Sequence, residues 1–412
     1  MRNRITSIDV LRGVALLGIL LMNIMSFSMP SVGYFSPLGY EGTLPNQIVY
    51  GLSHVLADQK FMAIFSMLFG ASTILFVEGA QKKGKRATLL FYVRNFWLLV
   101  IGLIHSTYIW FGDVLVVYAL CSFVLYFLRN ISPKKQLVLG LLIYLLPSMV
   151  NIGLHQGVID KLDPVEHVAF VEHWSPSEAS LQEELEVFRG SYADQNAFRA
   201  ELFQPSEDLQ DGQLGNALLG LSFALDVFAR AFGMMLVGIA FFRWGVFSNA
   251  LPGPVYRKMV RYGLGFGIPL SVLGLVLSYA SGWDWRYSQF IGRLPNTLAT
   301  PGIALGYIAL VMLCLQGGHA PGLQQRLQAV GKTALSAYLL QSLIATTIFY
   351  GFGLGLFGHV SRIGQLGIMV LIWAMLLSAA PRWLTRFQFG PLEWVWRCLT
   401  YMKWLPIRRR EA

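Results

Sequence analysis

Charged residues are scarce in this chain: Asp, Glu, Lys and Arg make up 13% of 412 residues, against 55% hydrophobic. That shortage excludes an ordinary soluble domain, which cannot hide so much apolar surface. A polytopic membrane protein turns such surface toward lipid. Cysteine is nearly absent as well. Cys121, Cys314 and Cys398 lie in or beside apolar stretches without metal or redox spacing, so packed thiols are expected. There is no HExxH, and His155, His167 and His173 lack tight ligand spacing, so no metal is expected. A nucleotide P-loop is missing too, because Gly331-Lys332-Thr333 has Arg326 where the first glycine belongs. The net charge of +10 does not imply nucleic acid, since the basic residues form short clusters between apolar stretches.

What is present is hydrophobic length, at a mean hydropathy of +0.54. Ten stretches are long enough to span, at about 8–29, 59–80, 88–110, 113–130, 136–154, 216–243, 258–281, 295–316, 332–354 and 363–381. They predict an all-α, polytopic transmembrane helical bundle. Arg2 and Arg4 precede the first stretch, but the many that follow mark it as a retained helix rather than a cleaved signal. Four regions result: an N-terminal bundle over 1–154, an acidic segment over 155–215, a C-terminal bundle over 216–381 and an interfacial tail over 382–412. The acidic segment is too polar to span. Within it Ser177 is placed to cap a helix over 177–189. Cations recur at alternate connections, from Lys82–Arg86 to Arg408–Arg410, which predicts cytoplasmic termini and an acidic segment outside.

Ionisable groups inside such stretches are expensive, and they are retained where they face a bundle interior or a cavity. Arg94 and His105 are eleven residues apart, on one helical face and roughly 16 Å apart along the axis. Asp113 follows just past a short turn. A histidine facing a carboxylate is a candidate proton-transfer site, although Asp113 equally suits a helix N-cap. Contact between them requires the turn to fold inward or a water to bridge. Arg12 and Asn23 repeat the eleven-residue spacing in the first stretch, where Arg12 also has Asp9 three residues before it. His54 with Asp58, and Asp226 with Arg230, stand at i,i+4 and can pair on one face. In the ninth stretch Tyr338 and Gln341 are suited to interhelical hydrogen bonds or ligand contact.

Several blocks resemble the YeiB-like membrane proteins. They are Arg4-Ile-Thr-Ser-Ile-Asp9-Val-Leu-Arg12-Gly13 through Asn23, Lys60-Phe-Met-Ala-Ile-Phe-Ser-Met-Leu-Phe-Gly70, Ile101-Gly-Leu-Ile-His105 through Tyr118, Gly331-Lys-Thr-Ala-Leu-Ser-Ala-Tyr338-Leu-Leu-Gln341-Ser and Phe389-Gly-Pro-Leu-Glu-Trp-Val-Trp-Arg397. The opening block is also similar to that of heparan-α-glucosaminide N-acetyltransferase and, more loosely, to OafA-like O-acetyltransferases. This resemblance implies a multi-pass acyltransferase of the bacterial cytoplasmic membrane that draws on acetyl-CoA or another acyl-CoA. Its partners would be the bilayer, acyl-CoA and a glycan or small-molecule acceptor, with no nucleic acid, and a homodimer is compatible. Asn23 matches the asparagine of that enzyme's first helix. The histidine that follows there has no counterpart, because 24–53 contains none and His54 lies too close to Asp58. His105 with Asp113 and Asn23 is then the expected catalytic set, and Arg12, Arg94, Lys332, Tyr338 and Gln341 the expected acyl-CoA contacts. The other intramembrane polar residues are Asp9, His54, Asp58, Asp226 and Arg230. The Asp226–Arg230 pair and His105 also suit a proton-coupled small-molecule transporter.

Overall fold

Each of the ten apolar stretches coils into a helix, since a segment in hydrocarbon must satisfy its own backbone hydrogen bonds. The computed structural model describes residues 5–157, 171–203 and 213–409, and their regular structure is helical apart from one bridge between Phe387 and Arg408. The helices are α1 Thr6–Ser28, α2 Ser31–Phe35, α3 Leu44–Leu56, α4 Lys60–Gln81, α5 Ala87–Tyr108, α6 Leu115–Leu128 and α7 Pro133–Gly157. After the acidic segment's α8 Glu178–Arg189 and α9 Tyr192–Phe203 come α10 Gln213–Arg243, α11 Gly253–Ala280, the one-turn α12 Trp285–Ser288 and α13 Leu294–Gln316. The chain closes with α14 Pro321–Lys332, α15 Ala334–Phe349, α16 Arg362–Arg386 and α17 Pro391–Tyr401.

Eight of these units are long and apolar enough to cross a membrane, with α3 and α4 counted together. The fourth and ninth stretches form only 14 and 16 helical residues, in α6 and α15, short of the roughly 20 that a perpendicular span needs. Large apolar side chains such as Phe127, Phe223, Phe266 and Leu371 are exposed on the flanks, as a lipid-facing surface requires.

Two breaks go beyond the apolar pattern. α3 precedes the second stretch, and the chain interrupts at Ala57–Gln59, where Gln59 takes a left-handed φ of 64°. α14 likewise stops one residue short of α15, at Thr333.

Small residues set the closest approaches. A Cβ on Gly70 would collide with the Met235 carbonyl and one on Gly238 with that of Met67, so α4 and α10 meet backbone to backbone. Gly13 and Gly331 do the same for α1 and α14. Helices from both halves of the chain therefore interlock in one bundle. α1 divides its interior: Leu16, Leu20 and Phe27 join Leu98, Trp110 and Tyr338 on one face, while Met22, Met25 and Met29 join Tyr50 and Trp283 on the other.

Candidate functional site

α5 turns Phe91, Asn95, Leu98, Gly102 and His105 inward, spaced as one helical face. Gly102 leaves room for the backbone of Val116, which draws α6 against the end of α5. The turn between them folds inward, and His105 Nδ1 meets Asp113 Oδ1 directly at 2.7 Å. The two side chains are 0% and 1% exposed, which leaves no room for water between them. Asp113 Oδ2 accepts the Val116 amide at 2.8 Å and so caps α6. One carboxylate thus serves the helix and the histidine together. With Nδ1 held, His105 Nε2 is buried and bonded to nothing among the described residues.

The surroundings of that nitrogen are defined. The Tyr338 ring lies 5.3 Å from the His105 ring and its hydroxyl accepts the Val114 amide at 3.3 Å. Trp110 stands edge-on at 6.4 Å and packs on Phe27 of α1. Asn95 Oδ1, ten residues along α5 beside Arg94, is also buried without a partner among the described residues, and so are Trp110 Nε1 on the turn and Gln341 Nε2 on α15. Above them the acidic segment forms a roof. Tyr192 donates to the Tyr108 carbonyl at 2.8 Å, Arg199 to the Ile109 carbonyl at 3.0 Å, and Phe188 stacks on Phe357.

The basic residues gather at the opposite end of the bundle. Arg12 bonds to Asp9 at 3.1 Å, to Ser72 at 3.0 Å and to the Gly331 carbonyl at 3.4 Å. Lys332 ends α14 one residue further on. Arg94 lies between the rings of Phe76 and Trp396, at 4.8 and 4.2 Å from their centroids, within electrostatic reach of Arg12 and Arg397. Asn23 lies on the Leu16–Leu20–Phe27 side of α1 by helical spacing, and no hydrogen bond joins it to His105 or Asp113. The structure therefore brings His105, Asp113 and Tyr338 together at one end and Arg12, Arg94 and Lys332 at the other.

The remaining polar residues form a second group, across α1. His54 Nδ1 is 3.3 Å from Asp58 Oδ2, which also accepts Asn296 at 3.0 Å. Lys60, fully buried, donates to the His54 carbonyl at 2.8 Å and to Asn296 Oδ1. Arg230 pairs with Asp226 at 2.7 Å and reaches Gln59 and Thr297, each at 3.1 Å. His155 and His167 lie outside the residues whose side chains are described, and His173 packs on Trp174.

The sequence profile described as a protein of unknown function, DUF418, matches residues 241–403. Over 407 residues the chain is 30% identical to the "Uncharacterized protein YeiB" of Escherichia coli (strain K12), covering 96% of both chains. It is 31% identical over 417 residues to the "Uncharacterized protein YxaH" of Bacillus subtilis (strain 168), covering 99% of this chain and 96% of the relative. The chain belongs to the YeiB family. Two ionic side chains, one buried and one half-buried, make long-range contacts that no local pattern of this YeiB-family sequence encodes. Arg362, 1% exposed, donates to the Gly33 carbonyl at 2.5 Å and lies over Tyr50 at 5.1 Å. Its signal was a lone arginine at a connection otherwise poor in cations. Glu393 caps α15 by accepting the Leu335 amide at 2.6 Å and the Ser336 hydroxyl at 2.5 Å. Only tertiary packing of the tail reveals that contact, and burial pushes the Glu393 carboxyl up.

Proposed function

We propose that this membrane protein is an acyltransferase that moves an acetyl or other acyl group from cytoplasmic acyl-CoA to a hydroxyl or amine acceptor, on a glycan or a small molecule. One observation carries the reading: a buried histidine oriented by a carboxylate through Nδ1, with Nε2 buried and unpartnered among the described residues. That is the arrangement by which a general base is held in one tautomer. The base would take the acceptor's proton as its oxygen or nitrogen attacks the thioester carbonyl. Collapse of the tetrahedral intermediate expels the CoA thiolate, which recovers the proton from the imidazolium. Asn23 or Gln341 would donate to the oxyanion. Arg12, Arg94 and Lys332 suit the phosphates of the donor. The roughly 16 Å from Arg94 to His105 along α5 is a distance for the pantetheine arm to cover. On this reading both termini lie in the cytoplasm of a bacterial cell and the α8–α9 roof lies outside, which agrees with the distribution of cations.

A proton-coupled transporter is the second reading. It is favoured by the left-handed break at Gln59, around which Asp58, Lys60, Asn296, Arg230 and Thr297 converge. Incubation of purified protein with acetyl-CoA separates the two. Release of free CoA, stimulated by a suitable acceptor, supports acyl transfer. Solute flux into vesicles without any acyl-CoA, and no thiol release, supports the carrier.

A further inference from the structure

After α17 the chain folds back on the end of α16 as a strap. The Gln388 amide donates to the Ile407 carbonyl at 2.9 Å, and the Arg409 amide to the Arg386 carbonyl at 3.0 Å. Phe387 and Arg408 form the antiparallel bridge between these bonds, so Arg386 stands directly opposite Arg409. Both arginines are exposed, and neither forms an ion pair among the described residues. Like charges set opposite one another repel. The strap adds more of the same sign: residues 382–412 carry seven cations against two acids, Glu393 and Glu411. The Glu393 carboxylate is spent inside, on Leu335 and Ser336. Lys85 lies over the Tyr401 ring at 4.6 Å, which joins the Lys82–Arg86 cluster to the patch.

Apolar surface stands beside that charge. Two tryptophans of α17 are tied inward: Trp394 donates to the Leu405 carbonyl and Trp396 to the Arg94 carbonyl, each at 2.7 Å. Trp404 is held outward instead, 84% exposed and edge-on to Trp394, near Met402 at 78%. The strap meets the bundle at Arg386, the last residue of a helix long and apolar enough to cross a membrane, so a bilayer surface is the environment within reach.

We propose that the strap is a docking surface for anionic phospholipid, independent of the acyl-transfer reading. A headgroup phosphate bridges Arg386 and Arg409 and relieves their repulsion, with Lys403 and Arg408 adding charge. Trp404 and Met402 enter the boundary between headgroups and acyl chains. The test is fluorescence quenching on the full chain in nanodiscs of phosphatidylcholine with a minority of phosphatidylglycerol, one lipid or the other brominated. Trp404 emission is read as the difference between each protein and its Trp404→Phe counterpart. Each surface cation favours anionic lipid about fivefold, so quenching per mole of brominated lipid should be about threefold or more stronger with phosphatidylglycerol. Arg386→Gln combined with Arg409→Gln should abolish that preference. Lys403→Gln, outside the paired backbone, should lower it and serves if the double variant does not fold. Inorganic phosphate or acetyl-CoA, added at equal ionic strength, should leave it unchanged. Equal quenching by the two lipids, quenching by neither, a folded double variant with the parental preference, or displacement by either soluble anion overturns the proposal.

Discussion

His105 Nδ1 lies 2.7 Å from Asp113 Oδ1, and the other oxygen of the same carboxylate caps α6 through the Val116 amide. Orientation of the imidazole and the start of a helix are thus tied to one side chain. Asp113→Asn keeps an oxygen for the cap but removes the charge that favours the imidazolium. The variant is expected to fold, to melt within a few degrees of the parent, and to lose about 10²-fold in acyl-transfer rate. Acetyl-CoA turnover beside a thermal unfolding curve checks both halves.

The Asp226–Arg230 pair gives a stability prediction. Arg230 is 3% exposed and also bonds Gln59 and Thr297, so its removal strands a carboxylate and several acceptors. Arg230→Met should cost about 3–5 kcal/mol, and Asp226→Asn combined with Arg230→Met should recover part of that loss. Unfolding of both variants in the same detergent measures the difference.

The roof over His105 should depend on pH through Glu184. Its carboxylate accepts the Ser31 amide at 2.9 Å and the Ser31 hydroxyl at 3.2 Å, yet burial raises its pKa above the ordinary value. A raised folded pKa means that its contribution is fully present below the unfolded value of about 4.3 and is lost as pH rises through the folded value. Amide protection of Glu178–Arg189, corrected for intrinsic exchange, should therefore be higher at mildly acid pH than at neutral pH. Glu184→Gln should flatten that difference.

Topology is checked by labelling. With Cys314 and Cys398 replaced by serine, Glu183→Cys in α8 should react with a membrane-impermeant maleimide from outside intact cells. A cysteine added after Ala412 should react only after permeabilisation. Labelling of position 183 only from the cytoplasmic face reverses the orientation.

Periodicity and length carried most of the helices because lipid leaves the backbone few alternatives. The eleven-residue spacing of Arg94 and His105, the i,i+4 pairs and the Ser177 cap of α8 were all local features, so they were legible; Ser177 accepts the Ser180 amide at 3.3 Å. The break at Gln59 was not, since no glycine marks its left-handed φ and the long-range bonds of Arg230 and Tyr144 hold it. Arg362 and Glu393 find their partners 329 and 57 or 58 residues away, at Gly33 and at Ser336 and Leu335, and no local pattern encodes those contacts. The contact of His105 with Asp113 was left open by spacing alone. It depends on how the turn packs under Tyr192 and Arg199.

The measurement that bears most directly on the proposed chemistry is acetyl-CoA turnover by purified His105→Ala protein, read as free CoA thiol beside its melting temperature and its binding of acetyl-CoA. The expected result is a folded protein that still binds acetyl-CoA and has lost at least about 10²-fold in rate. A folded His105→Ala protein that turns over acetyl-CoA at the parental rate contradicts it.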